Sequence, residues 1–481
     1  MGKDQEMGKD QEKAWIPGVA PKKMLSEFHQ GLQSLGFDQD LYILHEIALD
    51  PAFKIEDLPQ NPIAAVVEAE LKRAYWDILK EELQKEPPIF EHAFKVLLEV
   101  KEFARNKIIF RTSTGPGAQA IMRQLDSVID ENTLRNHIEQ GVFDFRVVLR
   151  NVCEILAKLC SPARDPDVEK LRKEDDMFTA LKSTFTLMEN IERDITNFFI
   201  GIGHPDLVKQ TRNKELQHYL ARRVQTGDSG VRQWLKISMD ECARPSISAE
   251  DLSSSPGSRS PSSKRLFEDP SEKMRRITSR GYVRLINSET PFPFPETMKI
   301  DSMKLAAFAE KFLQLTICTG SIWITIDVAG KEFSKSCGEI LKNNLIIISN
   351  DIEESKIALV VEQLAEECVK KVEEWMRNEK RNDFNEKSET IRKQVIDLKR
   401  ADHPVRKLIH DRVGRLVEAI LSGTWNKEFP SMLLPVQLQL TAFALKFAKL
   451  CTYNRETFNG VYIDLIRELE EAAQQSTSAA N

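Results

Sequence analysis

The chain reads Leu71-Lys72-Arg73-Ala74-Tyr75-Trp76-Asp77-Ile78-Leu79-Lys80-Glu81-Glu82-Leu83 and soon afterwards reaches Pro87-Pro88. Apolar side chains recur three, four or five positions apart in and just before this run, at Val67, Leu71, Ala74, Ile78 and Leu83. On a 3.6-residue period most of them form one stripe between charged flanks. The run therefore predicts a helix whose apolar stripe docks on another element.

A second helix is predicted directly after the two prolines. Its apolar side chains keep the same period and are Phe90, Ala93, Val96, Leu97, Val100 and Ala104. Pro87 and Pro88 prevent one continuous helix, because proline lacks an amide donor and restricts the residue before it. We expect an antiparallel helical hairpin, with Trp76 largely buried between its two helices.

Helical periodicity continues through the rest of the chain, so the predicted fold class is all-α: an elongated multi-helix bundle built from helical hairpins. The predicted parts are a loosely ordered N-terminal arm, a first helical half, a disordered linker rich in Ser and Pro, a second helical half and a disordered tail. Their bounds are 1–60, 61–242, 243–273, 274–473 and 474–481. The continuous apolar run Leu345 to Ile348 is the one place where a strand could lie.

The second half contains an internal repeat at a constant offset of 135 residues. Ten positions match without a gap, among them Phe294-Pro295 with Phe429-Pro430 and Phe312 with Phe447. Because solenoid repeats usually recur every 20 to 50 residues, this offset favours duplicated helix, Phe-Pro, helix units inside one bundle.

Charge and cysteine usage restrict the class of protein. A formal charge of −6 argues against a nucleic-acid binder, which usually carries a basic excess. The seven cysteines form no metal-ligand spacing and are predicted to be reduced, which with the charged N-terminus indicates a cytoplasmic or nuclear protein. The apolar run Phe312 to Ile326 is shorter than a membrane span, so we expect a core helix and no transmembrane segment.

The downstream edge of the linker is basic and contains Arg275-Arg276-Ile277-Thr278-Ser279. Two arginines shortly before a hydroxyl match the preference of a basophilic kinase such as protein kinase A, so Thr278 and Ser279 are candidate phosphorylation sites. Ser255 and Ser260, each followed by proline, are further candidates. The alternative is that this segment is only a solvated basic entry into the next helix.

No catalytic constellation can be recognised in the chain. Gly227-Asp228-Ser229-Gly230 resembles a serine-protease nucleophile loop, but it lacks the following glycine and proline and lies between predicted helices. Phosphate-binding loops and zinc-protease motifs are not found either. We predict no catalytic, cofactor or metal site.

Several short motifs resemble the t-complex protein 11 family over about residues 63 to 472. They are Trp76-Asp77 followed by Pro87-Pro88, the turn Cys160-Ser161-Pro162-Ala163-Arg164-Asp165, the pair Phe294-Pro295, and Phe458 with Tyr462. Tyr75 stands where the family pattern has Phe, and Asn459-Gly460-Val461 lacks a proline usual near Tyr462. These departures indicate a divergent member.

The resemblance implies an all-helical, non-enzymatic protein linked to cyclic-AMP and protein kinase A signalling, with no catalytic residues. Two hypotheses follow: a signalling scaffold or adaptor that binds other proteins, and an enzyme or nucleotide-binding regulator with an unrecognised site. Arg164 is either an ion-pair partner inside its turn or part of a binding surface.

Overall fold

The computed structural model describes residues 39–55, 62–86, 88–112, 115–243, 269–287, 292–350, 352–381 and 384–480. The described residues form helices and turns and contain no β-strand, so the all-α prediction is confirmed. Leu345 to Ile348 belong to a helix. The described chain divides into two units: unit A is Ile43–Thr211, and unit B contains the described residues from Arg212 onward together with those before Ile43.

The first eight helices extend from the start of the described chain into unit B. They are α1 Gln39–Leu49, α2 Pro62–Leu83, α3 Glu91–Phe103, α4 Pro116–Val128, α5 Glu131–Glu139, α6 Phe145–Ala157, α7 Asp165–Arg172 and α8 Met177–Thr226. A π-helical turn, Ala104–Ile109, prolongs α3. The buried apolar residues from Leu79 in α2 to Ile195 in α8 form one core cluster, which includes side chains such as Leu97, Ile108 and Leu156 that solvent does not reach.

The part of unit B that the structure describes contains nine further helices. They are α9 Ser229–Ala243, α10 Pro270–Asn287, α11 Ser302–Ala329, α12 Lys331–Ile348, α13 Ile357–Asn378, α14 Phe384–Asp397, α15 Pro404–Ser422, α16 Gln437–Thr457 and α17 Asn459–Ala480. Short 3-10 turns, Glu296–Asp301 and Ser431–Val436, lead into α11 and α16.

The two units divide the chain at a different place from the predicted halves. The boundary between the units along the chain falls between Thr211 and Arg212, inside α8. It does not fall at the linker, because α9 packs against α10 and α17 of unit B. Most of the predicted linker, 244–268, lies outside the described residues, but its last residues from Pro270 begin α10. The predicted tail continues α17 as far as Ala480.

The predicted N-terminal arm is described only from residue 39 to residue 55, and there it is ordered. Helix α1 covers most of this range, and Ile47 and Phe53 form a small buried cluster with Ile200 of α8. The His204 ring also contacts the Ile47 carbonyl oxygen at 3.0 Å. This end of the arm is therefore part of the folded chain, because its apolar side chains have a partner on α8.

Helix α2 turns a different face to the core from the one predicted. Leu79 and Leu83 are buried and Trp76 is partly buried. Most of the predicted stripe is exposed: Leu71 is 68% and Ile78 55% exposed, and of its members only Leu83 is buried. Helix α2 therefore packs on the core through a side that shares only Leu83 with the predicted stripe.

The duplicated unit is seen in both copies. In each, a helix is followed by the Phe-Pro pair, a 3-10 turn and a second helix. Phe312 and its counterpart Phe447 are both buried, as are Leu305 and Leu440. Equivalent positions therefore have the same structural role in both copies.

Two helical segments of the described chain are long and apolar enough to span a membrane. They are Glu296–Ala329 and Ser431–Thr457, with 72% and 39% of their most apolar windows buried inside the protein. Core helices of soluble proteins meet the same criteria, so these two segments are weak evidence for a membrane span. The run Phe312 to Ile326 lies in α11, most of which is buried.

Candidate functional site

Trp76 is partly buried and packs its ring against α8. Its ring lies edge-on to Phe178 and Phe185, with centroids 6.0 and 5.7 Å apart. Trp76 is therefore less buried than predicted, and its aromatic neighbours come from α8. Asp77 beside it is exposed and lies 4.0 Å from Arg73. Pro88 is exposed, and Pro87 lies outside the described residues.

The turn that contains Cys160 and Pro162 is held to α8 by an ion pair. Arg164 donates from Nε and Nη2 to the two carboxylate oxygens of Asp194, at 2.8 and 2.7 Å. These hydrogen bonds hold the pKa of Asp194 below its ordinary value. Asp165 is the first residue of α7, since the 3-10 turn Pro162–Arg164 leads straight into that helix. Arg164 is therefore an ion-pair partner, but its pair with Asp194 joins the turn to α8 and does not lie inside the turn as predicted.

The second set of motif residues converges in unit B. Glu296, next to Phe294-Pro295, accepts hydrogen bonds from the backbone amides of Gly230 and Val231 at 2.9 and 2.7 Å. Its carboxylate therefore caps the N-terminus of α9, where a helix offers unpaired donors and positive charge.

Tyr462 belongs to a buried hydrogen-bond network that joins three helices to the turn after Pro295. The hydroxyl groups of Tyr282 in α10 and Tyr462 in α17 both reach Asn454 Oδ1 of α16, at 2.8 and 2.7 Å. Asn454 Nδ2 donates to the Thr297 carbonyl at 2.7 Å. Burial raises the pKa of both tyrosines, so they remain hydroxyl donors at neutral pH.

Trp234 of α9 completes this network. Its Nε1 donates to the Gly281 carbonyl at 2.9 Å, and its ring lies 5.4 Å from Tyr282 and 5.7 Å from Tyr462 between centroids. Solvent reaches none of these three side chains. The sequence motifs include neither Trp234 nor Gly281, although Val231, Trp234 and Leu235 have the helical spacing of a buried stripe.

The structure contradicts the accessibility that phosphorylation of Thr278 and Ser279 requires. Both side chains are fully buried. They donate to the carbonyl groups of Met274 and Arg275 at 2.8 and 2.6 Å, and both accept hydrogen bonds from Arg455, at 3.1 and 3.0 Å. A kinase reaches these hydroxyls only after α10 leaves its site. Ser255 and Ser260 lie outside the described residues.

The basic side chains around these hydroxyls are paired within unit B. Arg280 lies 3.0 Å from Glu418, and Arg284 pairs with Glu241. Burial raises the pKa of Glu418 even though Arg280 opposes the shift. Within the described residues, this part of the predicted basic segment is therefore not an open binding surface.

A narrow cleft lies beside the Tyr462 network, between the last turns of the α8 segment in unit B and the turn before α11. Its cavity volume is about 30 Å³. The charged and polar residues that line the cleft include Glu215, Tyr219, Arg222, Arg223, Glu296 and Lys299. The Tyr219 ring lies 5.4 Å from Phe458, so this motif residue forms part of the cleft.

Most charges in the cleft are engaged. Glu215 accepts a hydrogen bond from the Tyr453 hydroxyl at 2.8 Å, and Arg223 lies 2.8 Å from Asp228. Tyr219 is 5% exposed, yet its hydroxyl has no hydrogen-bond partner among the described residues. Burial raises the pKa of Tyr219, so the group stays a donor.

A second depression, of about 420 Å³, is open to solvent between α13 and α14. Its Arg392 is paired with Glu366 at 2.8 Å, which lowers the pKa of that carboxylate. No group of three metal-ligating side chains occurs in the described parts of the chain.

All seven cysteines are free thiols with raised pKa values. Burial raises the pKa to about 11 for Cys153 and Cys318 and to about 12 for Cys368. Because the thiolate is the reactive form, none of them is activated as a nucleophile at neutral pH.

Comparison with known proteins agrees with the motif resemblance. The family model described as T-complex protein 11 matches residues 43–467. Human T-complex protein 11-like X-linked protein 1 is 22% identical over 456 residues, covering 90% of this chain and 88% of that protein. Human T-complex protein 11 homolog is 22% identical over 87% of this chain and 84% of its own length, and mouse T-complex protein 11 is 22% identical over 89% and 76%. No solved structure matches. The chain belongs to the T-complex protein 11 family.

Proposed function

We propose that this protein is a non-enzymatic signalling adaptor that binds other proteins, including components of protein kinase A signalling, through an exposed apolar face of α2. The observation that supports this proposal is the face itself. Val67, Leu71, Tyr75 and Ile78 are 52%, 68%, 43% and 55% exposed. We call these four residues the α2 face.

The spacing of the α2 face suits a helix that enters the groove of a partner. Its members are four, four and three residues apart, which places them on one side of the helix, opposite Trp76, Leu79 and Leu83 of the core side. Contiguous exposed apolar surface usually marks an interaction site, and fully burying one Leu or Ile is worth roughly 1.5–3 kcal/mol.

The link to protein kinase A rests on what the family resemblance implies. The absence of an activated cysteine supports a binding role, and the cleft in unit B is too small for a nucleotide. Reduced thiols support a cytoplasmic or nuclear location. Phosphorylation of Ser255 and Ser260 stays a prediction.

Titration calorimetry of the full chain against purified regulatory and catalytic subunits of protein kinase A tests the proposal. We expect one subunit to bind, and the double substitution Leu71→Asp with Ile78→Asp to weaken that binding at least about tenfold, since each buried apolar side chain contributes more than 1.4 kcal/mol. Val142→Asp is the matched control. Like Leu71 and Ile78, Val142 is an exposed apolar residue of unit A, 65% exposed, but it lies outside α2.

Binding of neither subunit would refute the link to protein kinase A. Binding that the double substitution leaves unchanged would show that the α2 face is not the docking surface. Circular dichroism of each variant during heating verifies that helical content and stability are retained.

A further inference from the structure

We propose that the cleft lined by Tyr219, Arg222 and Lys299 binds a phosphate group, either as inorganic phosphate or as a small phosphomonoester. These three residues are called the cleft donors. They lie on the segment of α8 in unit B and on the turn before α11.

The cleft donors are the groups whose hydrogen-bonding capacity the fold leaves unused. The buried Tyr219 hydroxyl has no partner, and Arg222 and Lys299, both partly buried, form no ion pair with any described residue. A buried donor without a partner destabilises the fold, so such a group usually has a ligand or a water.

The carboxylates of the cleft do not fill this role. Glu296 accepts two backbone hydrogen bonds at the N-terminus of α9, and Glu215 accepts the Tyr453 hydroxyl. Arg223 is already paired with Asp228. The cleft donors that remain are one hydroxyl, one guanidinium and one ammonium group. Because two of them are positively charged, they suit a negatively charged ligand with several hydrogen-bond acceptors.

Size and donor number select the ligand. A cavity of about 30 Å³ exceeds the roughly 10–15 Å³ that one water needs, so it admits a group of a few atoms and excludes a whole nucleotide. A phosphate offers at least three terminal oxygens, one for each cleft donor, whereas a carboxylate offers two. The Tyr219 hydroxyl keeps its proton and serves as a neutral donor.

Titration calorimetry of the full chain with inorganic phosphate, O-phosphoserine and acetate tests the site. We expect both phosphates to bind and acetate to bind at least about tenfold more weakly. The tighter of the two phosphates identifies the source: tighter O-phosphoserine indicates a phosphomonoester, and tighter inorganic phosphate the free ion. No phosphate binding at 10 mM, on the order of the weakest affinity worth considering, or equal binding of acetate, overturns the proposal.

Two substitutions connect binding to the cleft donors. Tyr219→Phe removes only a hydroxyl, and Lys299→Met removes one charge; each should weaken phosphate binding about tenfold, because a hydrogen bond to a charged group is worth roughly 1.5–3 kcal/mol. Lys446→Met is the matched control, since Lys446 is exposed on α16 away from the cleft. Phosphate affinity that is unchanged in Tyr219→Phe, with its thermal unfolding at or above that of the wild type, also overturns the site.

Discussion

Gly281→Ala tests how tightly the Trp234 network is packed. A Cβ built at Gly281 lies 2.6 Å from Cε2 and Cζ2 of Trp234 and 2.7 Å from Oγ of Ser238. Carbon atoms in contact prefer about 3.5–4.0 Å, so the indole ring has to retreat by roughly 1 Å. The ring cannot do so freely, because it is fully buried and its Nε1 donates to the carbonyl of the same glycine at 2.9 Å.

The expected loss follows from three effects. Overpacking a core costs about 1–3 kcal/mol. Alanine gains about 1 kcal/mol over glycine inside a helix, and loosening the Trp234 hydrogen bond costs a similar amount, so these two effects roughly cancel. We therefore expect Gly281→Ala to lower the free energy of unfolding of unit B by about 1–3 kcal/mol, or about 2–4 °C in melting temperature per kcal/mol.

Circular dichroism during heating and urea denaturation measure this change. Gly338→Ala is the matched control, because Gly338 lies inside α12 and the nearest heavy atom to its added Cβ is Ser334 Oγ at 3.6 Å. It should stabilise the protein by about 0.5–1 kcal/mol. Equal or higher stability of Gly281→Ala would refute the tight packing. Adding Trp234→Phe should recover part of the loss, as a double-mutant cycle detects.

Two further predictions concern unit A. Trp76→Ala should lower the free energy of unfolding in urea by about 3 kcal/mol, the lower end for a tryptophan, because the side chain is only partly buried. Leu71→Ala on the exposed α2 face should change it by less than about 0.5 kcal/mol. Equal losses would place both residues in the core. Because Arg164 lowers the pKa of Asp194 in the folded protein, the pair stabilises unit A fully above the ordinary aspartate pKa of about 4, and this contribution disappears as pH falls through the lower folded pKa. Melting temperature measured from pH 7 to pH 2 should therefore fall less in Arg164→Gln than in the wild type, and parallel curves would contradict the role of the pair.

Sequence periodicity predicted the helices but not which face of α2 is covered. Apolar residues occur on two sides of this helix, one with Leu71 and Ile78 and one with Trp76 and Leu79. Both sides satisfy a 3.6-residue period. The choice depends on Phe178 and Phe185, more than 90 residues away in sequence, which offer aromatic edges to Trp76. A local pattern has no access to that partner.

Thr278 illustrates the opposite error, in which a short motif outweighed the helical pattern. Met274, Ile277 and Tyr282 already form an apolar stripe that includes position 278. A threonine on such a stripe can satisfy its hydroxyl with the carbonyl four residues earlier, as Thr278 does with Met274. The kinase-like arginines do not change that geometry. The periodicity was therefore the better guide to accessibility.

The motif residues of the second half and their neighbours hold helices of unit B together, which limits the residues that are available to bind a ligand. Glu296 fixes the start of α9, while Tyr462 and Asn454 join α16 and α17 to the turn after Pro295. A residue whose polar atoms are all used inside the core has none left for a ligand. Phe458 differs, because it packs on Tyr219, whose hydroxyl is unused among the described residues. Phe458 thus connects the motif to the proposed phosphate site, and Tyr219→Phe is the substitution that separates binding from folding.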